Sequence, residues 1–315
     1  MTTLLNRLQL KTATVVGQIT HDRYDRLHPG GCAFFAAKTI AALGAKTSLL
    51  SAVGLDFQFD AQLEGIDRLF EIGAHTTTFT NVYPATGPRL QYVSARAPMI
   101  SKTLLPKKWR FPDLMLLAPV MGELDGFSWR TVRDSAHVAL FLQGFMKRDI
   151  DTVRSNRKLV VPLENAFNFD ILNRVDSVFL SEEDIELFAS SRFVDELVAR
   201  VPIVAVTRGA QGSTLYHKGA RTEVGIFPVK CIDPTGAGDT FGAATAMALA
   251  AGSDVETAGR LGAAAASVIV EGKGSERLND IPLAWERESH ISAETIPPSI
   301  PRTEWNDYSG CLSHQ

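Results

Sequence analysis

Six short apolar runs constrain this chain more than any other feature. They are Ala13–Val16, Thr47–Val53, Leu114–Leu117, Val138–Leu142, Ser177–Leu180 and Ile203–Val206. Each reads as a buried strand, and several stop at glycine, as at Gly17 and Gly54. Helical stretches fall between them. Ala33 to Leu43 is rich in small residues and is closed by Gly44 as a C-cap. Phe193 and Leu197, with neighbours Val194 and Val198, have the i, i+4 spacing of a helix face. Strand, loop, helix, strand is the βαβ grammar of a parallel sheet.

The stretch Thr76 to Val93 breaks that rhythm. Thr76–Thr80 and Leu90–Val93 are β-rich, partly polar, and flank a turn at Pro84–Pro88, so they read as a hairpin. With 315 residues, the chain is long for one ordinary domain and short for two. A large α/β domain carrying a small β appendage accounts for both observations. The tail from Ser289 holds Pro297, Pro298 and Pro301 with little periodicity, which predicts a loosely docked or mobile extension.

Charge and cysteine usage narrow the function classes. Lys+Arg 32 against Asp+Glu 35 leaves −3, which gives no support to a dedicated nucleic-acid binder. The cluster Lys107, Lys108, Arg110 reads as a solvated loop. Charged residues at 21% and hydrophobic ones at 45% exclude global disorder. Cys32, Cys231 and Cys311 form no CxxC pair, which argues against a disulfide framework or zinc cluster and for a reducing compartment. Met1 to Lys11 lacks the apolar stretch of a signal peptide, and no apolar run reaches the ~18 residues that cross a bilayer. The expectation is a cytoplasmic protein with no membrane partner.

The chemistry is concentrated in Asp233-Pro234-Thr235-Gly236-Ala237-Gly238-Asp239-Thr240-Phe241, followed by the helix-like Gly242 to Ala251. Gly-Ala-Gly at the mouth of a helix lets backbone N–H groups converge on an anion. Asp239 sits in the first turn, where the positive helix end favours its ionised form. A carboxylate there would repel a resident phosphate. It makes sense if a phosphoryl group is transferred and an alcohol lies between it and the carboxylate. Asp239 then orients the alcohol and accepts its proton. A tight turn whose Asp merely caps the helix uses the same residues. No Gly-x-x-x-x-Gly-Lys-Ser/Thr loop competes, and Gly17 opens no Gly-x-Gly-x-x-Gly.

Asp-x-Thr-Gly-Ala-Gly-Asp-x-Phe resembles the C-terminal motif of the ribokinase/PfkB family of carbohydrate kinases, and Asp233 to Phe241 matches it position by position. The resemblance extends over roughly Ala13 to Pro282. It implies a three-layer α/β/α ribokinase-like fold with a small β-sheet lid: a kinase domain over 1–288, with lid strands within about 13–32 and 76–97, and an extension over 289–315. It also implies Asp239 as catalytic base and the N–H groups of Gly236, Ala237, Gly238 and Asp239 as the hold on developing phosphate charge. Asp22, after Gly17, looks like the family's sugar-hydroxyl ligand; an ordinary loop Asp is the alternative. His21 beside it reads as a neighbour of the site. Gly30-Gly31 matches the substrate loop, with Phe34 as a further substrate contact; Phe34 and Phe35 are equally core candidates. Phe35 stands where many relatives carry Asn, which argues against a standard ribokinase or fructokinase substrate.

His21-Asp22, the Gly-Gly-x-Ala-x-Phe run and Gln143-Gly144-Phe145 together look similar to the myo-inositol kinases of the family. Asp22, Gln143 and Asp239 suit a cyclitol, which offers only hydroxyls. On the ATP side, Thr207-Arg208-Gly209-Ala210-Gln211-Gly212 resembles the family's Thr-x-Gly-x-x-Gly, and a strand ending in a turn is the alternative. Ala263 to Ser267 and Gly274 would wall the adenine or serve as packing. The family's Asn-x-x-Glu motif, linked to Mg²⁺ hydration, reads here Ser181-Glu182-Glu183-Asp184. That spacing also resembles a capping box. Asp233 and Thr235 match the region where some relatives hold K⁺. Arg96 either meets substrate or lies on the surface. A homodimer through the lid is a family habit.

The resulting expectation is ATP- and Mg²⁺-dependent phosphorylation of a sugar or cyclitol hydroxyl, with myo-inositol first. A ribose, sugar-acid or nucleoside kinase is the rival within the family. A non-catalytic sugar- or nucleotide-sensing protein is the rival outside it. Cys32 and Cys231 flank the substrate and phosphate loops, which predicts inactivation by thiol reagents and protection by ATP.

Overall fold

The computed structural model describes residues 10–82, 90–101, 105–124, 135–151, 157–162, 169–188 and 192–296. In chain order the strands are β1 (Thr12–Val16), β2 (Thr20–Arg23), β3 (Leu27–Gly30), β4 (Lys46–Gly54), β5 (Asp67–Gly73), β6 (Thr78–Val82), β7 (Leu90–Ala95), β8 (Leu114–Leu117), β9 (His137–Phe141), β10 (Lys147–Asp151), β11 (Lys158–Pro162), β12 (Ser177–Ser181), β13 (Ile203–Thr207), β14 (Ser213–His217), β15 (Ala220–Val224) and β16 (Ala293–Ile296). The helices are α1 (Cys32–Ala42), α2 (Glu182–Phe188), α3 (Phe193–Arg200), α4 (Ala237–Ala250), α5 (Val255–Ile269) and α6 (Ala284–Arg287).

Ten strands form one mixed sheet in the order β16-β15-β14-β13-β12-β9-β8-β1-β4-β5. From β5 to β13 every neighbouring pair is parallel, and from β13 to β16 every pair is antiparallel. All six apolar runs lie in the parallel part. They are apolar throughout because both faces are covered. Val15 and Leu49 belong to the core under α1, α4 and α5, while their neighbours Val16 and Leu50 belong to the core under α3. The parallel strand without an apolar run is β5, an edge strand whose residues Asp67-Arg68-Leu69-Phe70-Glu71-Ile72 stay half exposed. This is the three-layer α/β/α arrangement expected from the sequence.

Local chemistry sets the helix ends. At the close of α1, the Gly44 N–H donates to Ala41 O and the Ala45 N–H to Ile40 O, a Schellman pair. Asp254 caps α5 by accepting from the Thr257 N–H at 2.7 Å. The small residues of α4 and α5 let these helices pack closely: a Cβ on Gly262 would overlap Thr245 Oγ1.

Six strands form the second sheet, β10-β11-β7-β6-β2-β3. Within the range 13–32, β2 and β3 join this sheet, whereas Thr12–Val16 belongs to the large one. The hairpin over 76–97 is β6 and β7, with Asn81 opposite Gln91; its turn at 84–88 lies outside the described residues. Two further strands, β10 and β11, complete the sheet. Lys-Arg-Asp-Ile-Asp and Lys-Leu-Val-Val-Pro are too short and polar to announce themselves. The expected boundary at 288 is also displaced: β16 pairs antiparallel with β15 and adds the tenth strand. Residues 297–315, with the three prolines and Cys311, lie outside the described residues. Among the described residues, no helix is long and apolar enough to cross a membrane.

Candidate active site

Between the strand ends of the large sheet and the small sheet lies a cavity of about 580 Å³. Thr20, Asp22, Phe79, Asn81 and Gln91 reach it from β2, β6 and β7, and Pro234 to Asp239 form its far wall. Asp22 and Asp239, more than two hundred residues apart in sequence, therefore share one cleft.

The wall begins with a tight turn. Asp233 Oδ1 accepts the Thr235 N–H at 2.9 Å, and the Ala237 N–H donates to Pro234 O at 3.1 Å. Gly236, at φ 77°, is the N-cap of α4, and no side chain caps that end. The left-handed turn is a conformation glycine adopts without a Cβ penalty. The expectation of four converging N–H groups is corrected here, because the Ala237 N–H is spent inside the turn. The N–H groups of Gly236, Gly238 and Asp239 belong to the same helix mouth, where the helix dipole adds to them.

Across the cleft, Asp22 Oδ1 accepts from Thr20 Oγ1 at 3.1 Å. Gly30 stands beside it on β3, and a Cβ there would overlap the Asp22 carboxylate. Gly30 thus makes room for Asp22 rather than lining the cavity, whereas Gly31 lines it. Gln143 follows β9 and lies 3.5 Å from Asp239 Oδ1 through its Nε2. Phe34 is fully buried in the core, so its expected substrate contact is not formed. Helix periodicity turns its neighbour Phe35 to the cavity instead. His21 is fully buried, stacked on Phe57 with centroids 6.0 Å apart. Among the described residues, neither ring nitrogen has a hydrogen-bond partner. Burial lowers its pKa, and nearby Asp56 opposes the shift.

On the other side, Ser181, Asp184, Thr207 and Gly209 line the cavity. Ser181 Oγ donates to Asp184 Oδ2 at 2.7 Å, and the Asp184 N–H donates back to Ser181 Oγ at 3.1 Å. This is a capping box with Asp in the usual Glu place. Asp184 also lies 3.7 Å from Lys147 Nζ. Three expected nucleotide residues lie off the cavity. Gly212 packs on the Val224 backbone, and Ala263 belongs to the α4–α5 core. The Gly274 N–H donates to Asp233 Oδ2 at 2.9 Å. Arg96 reaches Met121 O and Asp149 instead of the cleft. Among the described residues, no cluster of three His, Cys, Asp or Glu side chains could hold a metal ion.

Cys32, expected beside the substrate loop, lines the cavity; sequence reasoning missed Lys147, Asn81 and Gln91 there. The last two form a cross-strand pair, with Gln91 Nε2 donating to Asn81 Oδ1 at 3.1 Å. The polarity of the hairpin was their signal, but pairing register decides which face they take. Glu123 was also missed. Its fully buried carboxylate accepts the N–H groups of Gln18, Val120 and Met121 at 2.8–3.1 Å. Gln18 in turn bonds Thr77 Oγ1 and Pro98 O. That network joins the end of β1 to both ends of the lid hairpin. Burial pushes the Glu123 carboxyl up, against the pull of its backbone donors.

The family model for pfkB family carbohydrate kinases matches residues 168–281. A nucleoside kinase of Methanocaldococcus jannaschii is 26% identical over 273 residues, covering 80% of this chain and 82% of that protein. An inositol 3-kinase of Arabidopsis thaliana is 27% identical over 292 residues, covering 89% and 78%. A solved pyrophosphate-dependent kinase of the ribokinase family, complexed with a pyrophosphate analog and myo-inositol, superposes with TM-score 0.68. It is 19% identical and is covered to 99%, against 86% of this chain. Asp239 at the mouth of α4, this fold and these matches make the chain similar to pfkB family carbohydrate kinases, with sugar and nucleoside kinases among its relatives.

Proposed function

We propose that this protein transfers the terminal phosphoryl group of ATP to a hydroxyl of a cyclitol, myo-inositol first. The observation that carries the reading is the placement of Asp239, beside the helix-mouth N–H groups and across one cavity from Asp22. Asp22, Asn81, Gln91 and Asp239 present carboxylate and amide groups, the partners of hydroxyls. The inositol 3-kinase relative and the myo-inositol complex of the structural neighbour support the same acceptor.

Asp239 orients the attacking hydroxyl and takes its proton at a carboxylate oxygen. The N–H groups of Gly236, Gly238 and Asp239 hold charge on the transferred phosphoryl oxygens. The lid strands exclude water, which limits donor hydrolysis. Glu182, Glu183 and Asp184 line the donor side, and Mg²⁺ takes one or two carboxylates through its waters together with phosphates. These residues fit it in that way, and Mg²⁺ would neutralise phosphate charge there. Asp233 gives one oxygen to each neighbouring loop. With Thr235 it keeps lone pairs for a monovalent cation such as K⁺. A homodimer through the lid belongs to the same reading, and sedimentation checks it.

One observation favours a second donor. Ala263 and Gly274 do not line the cavity, so the expected adenine wall is not assembled there. Pyrophosphate, which has no base, meets that geometry. The test is a matrix of ATP and pyrophosphate against myo-inositol, ribose and a nucleoside, with wild type and Asp239→Asn. Turnover of myo-inositol that falls about 10²–10⁴-fold in Asp239→Asn supports the reading. Turnover of ribose or the nucleoside alone sinks the cyclitol. Equal activity of the two proteins sinks the base. No turnover in either favours a sensor.

A further inference from the structure

Five carboxylates line the cavity, those of Asp22, Glu182, Glu183, Asp184 and Asp239. A polyphosphate entering it meets like charge on both sides. Among the described residues that line it, two are cations, Arg208 and Lys147. Both terminal nitrogens of Arg208 are engaged: Nη2 donates to Glu223 Oε2 at 2.9 Å, and Nη1 donates to Thr214 Oγ1. Lys147, the first residue of β10, has a side chain only 11% exposed. Its Nζ donates to Gln143 Oε1 at 2.9 Å. Asp184 Oδ1 lies 3.7 Å away, an ion pair beyond hydrogen-bond reach. An ammonium has three N–H groups, so two of them have no hydrogen-bond partner among the described residues. Gln143 stands between this cation and Asp239, with Nε2 3.5 Å from Asp239 Oδ1. The two contacts and the amide that joins them keep Lys147 Nζ within about 9 Å of Asp239. An acceptor hydroxyl bonded to Asp239, followed by the phosphoryl group it attacks, spans such a distance.

We propose that Lys147 binds the donor polyphosphate directly, its two remaining N–H groups meeting oxygens of the phosphoryl group that is transferred. The inference rests on the reading of the protein as a kinase with Asp239 as the base. Gln143 and Asp184 hold the ammonium at the junction of acceptor and donor sides, and phosphate oxygens complete its shell. Its charge adds to the helix-mouth N–H groups at the oxygens where negative charge develops. A compact ammonium with three rotatable donors can serve an amide and a phosphate at once.

Equilibrium binding tests this without turnover. Pyrophosphate and ATP are titrated calorimetrically in EDTA, so that no divalent metal bridges them to the carboxylates. Lys147→Met keeps an unbranched stem and removes the charge. It is expected to weaken whichever polyphosphate wild type binds about 10-fold or more, the worth of a hydrogen bond to a charged group. Lys147→Gln keeps a donor for Gln143 without the charge, is expected to show the same loss, and serves where Lys147→Met does not fold. A lysine that only neutralises Asp184 gives a different pattern. In an Asp184→Asn background its removal would then have no effect, whereas the proposal expects the loss to persist. Wild-type affinity in the single variants, or a loss that vanishes in the Asp184→Asn background, overturns the proposal. In turnover, kcat of Lys147→Met is expected to fall about 10²-fold or more, with acceptor KM within about twofold. A raised acceptor KM at unchanged polyphosphate affinity places Lys147 on the acceptor and also overturns it. Failure of the kinase reading shows separately, as wild type without turnover on any acceptor.

Discussion

The ring of Phe35 lies against the backbone of Gly236, so that a Cβ on Gly236 would overlap the ring. One residue belongs to the first turn of α1, the other to the mouth of α4. The contact gives the chain's Phe35 a physical role. Where the family pattern often has a polar Asn, this protein has an apolar floor beneath its anion loop.

Gly236→Ala should therefore damage the loop twice. The left-handed φ of 77° costs a residue with a Cβ about 1–2 kcal/mol, and overlap with Phe35 adds roughly 1–3 kcal/mol. Thermal unfolding should show the loss, and kcat should fall with it. The double variant Phe35→Leu/Gly236→Ala should regain part of the stability, since residues in contact are not additive. Purely additive losses would mean that the ring does not limit the loop.

Glu123→Gln replaces one acceptor oxygen by an amide nitrogen facing backbone N–H groups. Each donor left without a partner costs roughly 1–3 kcal/mol. A lower urea midpoint at unchanged slope is expected. The network from Gln18 to Thr77 and Pro98 should loosen with it and raise acceptor KM. Wild-type stability in this variant would show that the loop has no need of the carboxylate.

Stability should fall on mild acidification, in part through His21. Burial holds its folded pKa below the ordinary 6.5, so below that pH the unfolded chain binds the proton first. The contribution is complete above about pH 6.5 and is lost as pH falls toward the lower folded pKa. His21→Phe can keep the stack on Phe57 and has nothing to protonate. Its urea midpoint should change less than that of wild type between about pH 7 and 5. His137, also held down by burial with Asp176 opposing, keeps its own share in both proteins. Parallel pH profiles would remove His21 from the account.

Asp184→Ala removes the capping partner of Ser181 and should cost about 1 kcal/mol. It should also raise the Mg²⁺ concentration needed for half-maximal activity. Wild-type Mg²⁺ dependence with the stability loss retained would reduce Asp184 to a helix cap.

The parallel sheet was legible because burial on both faces leaves unbroken apolar runs, as in Leu114–Leu117 and Ile203–Val206. The glycine-framed Asp239 was legible because the turn and the chemistry sit in one contiguous segment. The lid strands Lys147–Asp151 and Lys158–Pro162 were not. Their pattern is weak, and β10 joins the sheet only through β11, whose pairing with β7 is non-local. Ala263 and Gly274 misled for a related reason: small residues suit either a nucleotide wall or close packing. Their neighbours, Thr245 beside Gly262 and Asp233 beside Gly274, are known only after folding.

The amino-acid sequence by itself determined the sheet, the helix mouth and the carboxylate in it, since each depends on residues adjacent in the chain. Only the tertiary structure decided which side chains share the cavity. Lys147, Gln143, Cys32 and Asp239 meet because β9, β10, α1 and α4 end at the same edge of the folded protein. That convergence is set by strand order and packing, which no local pattern encodes.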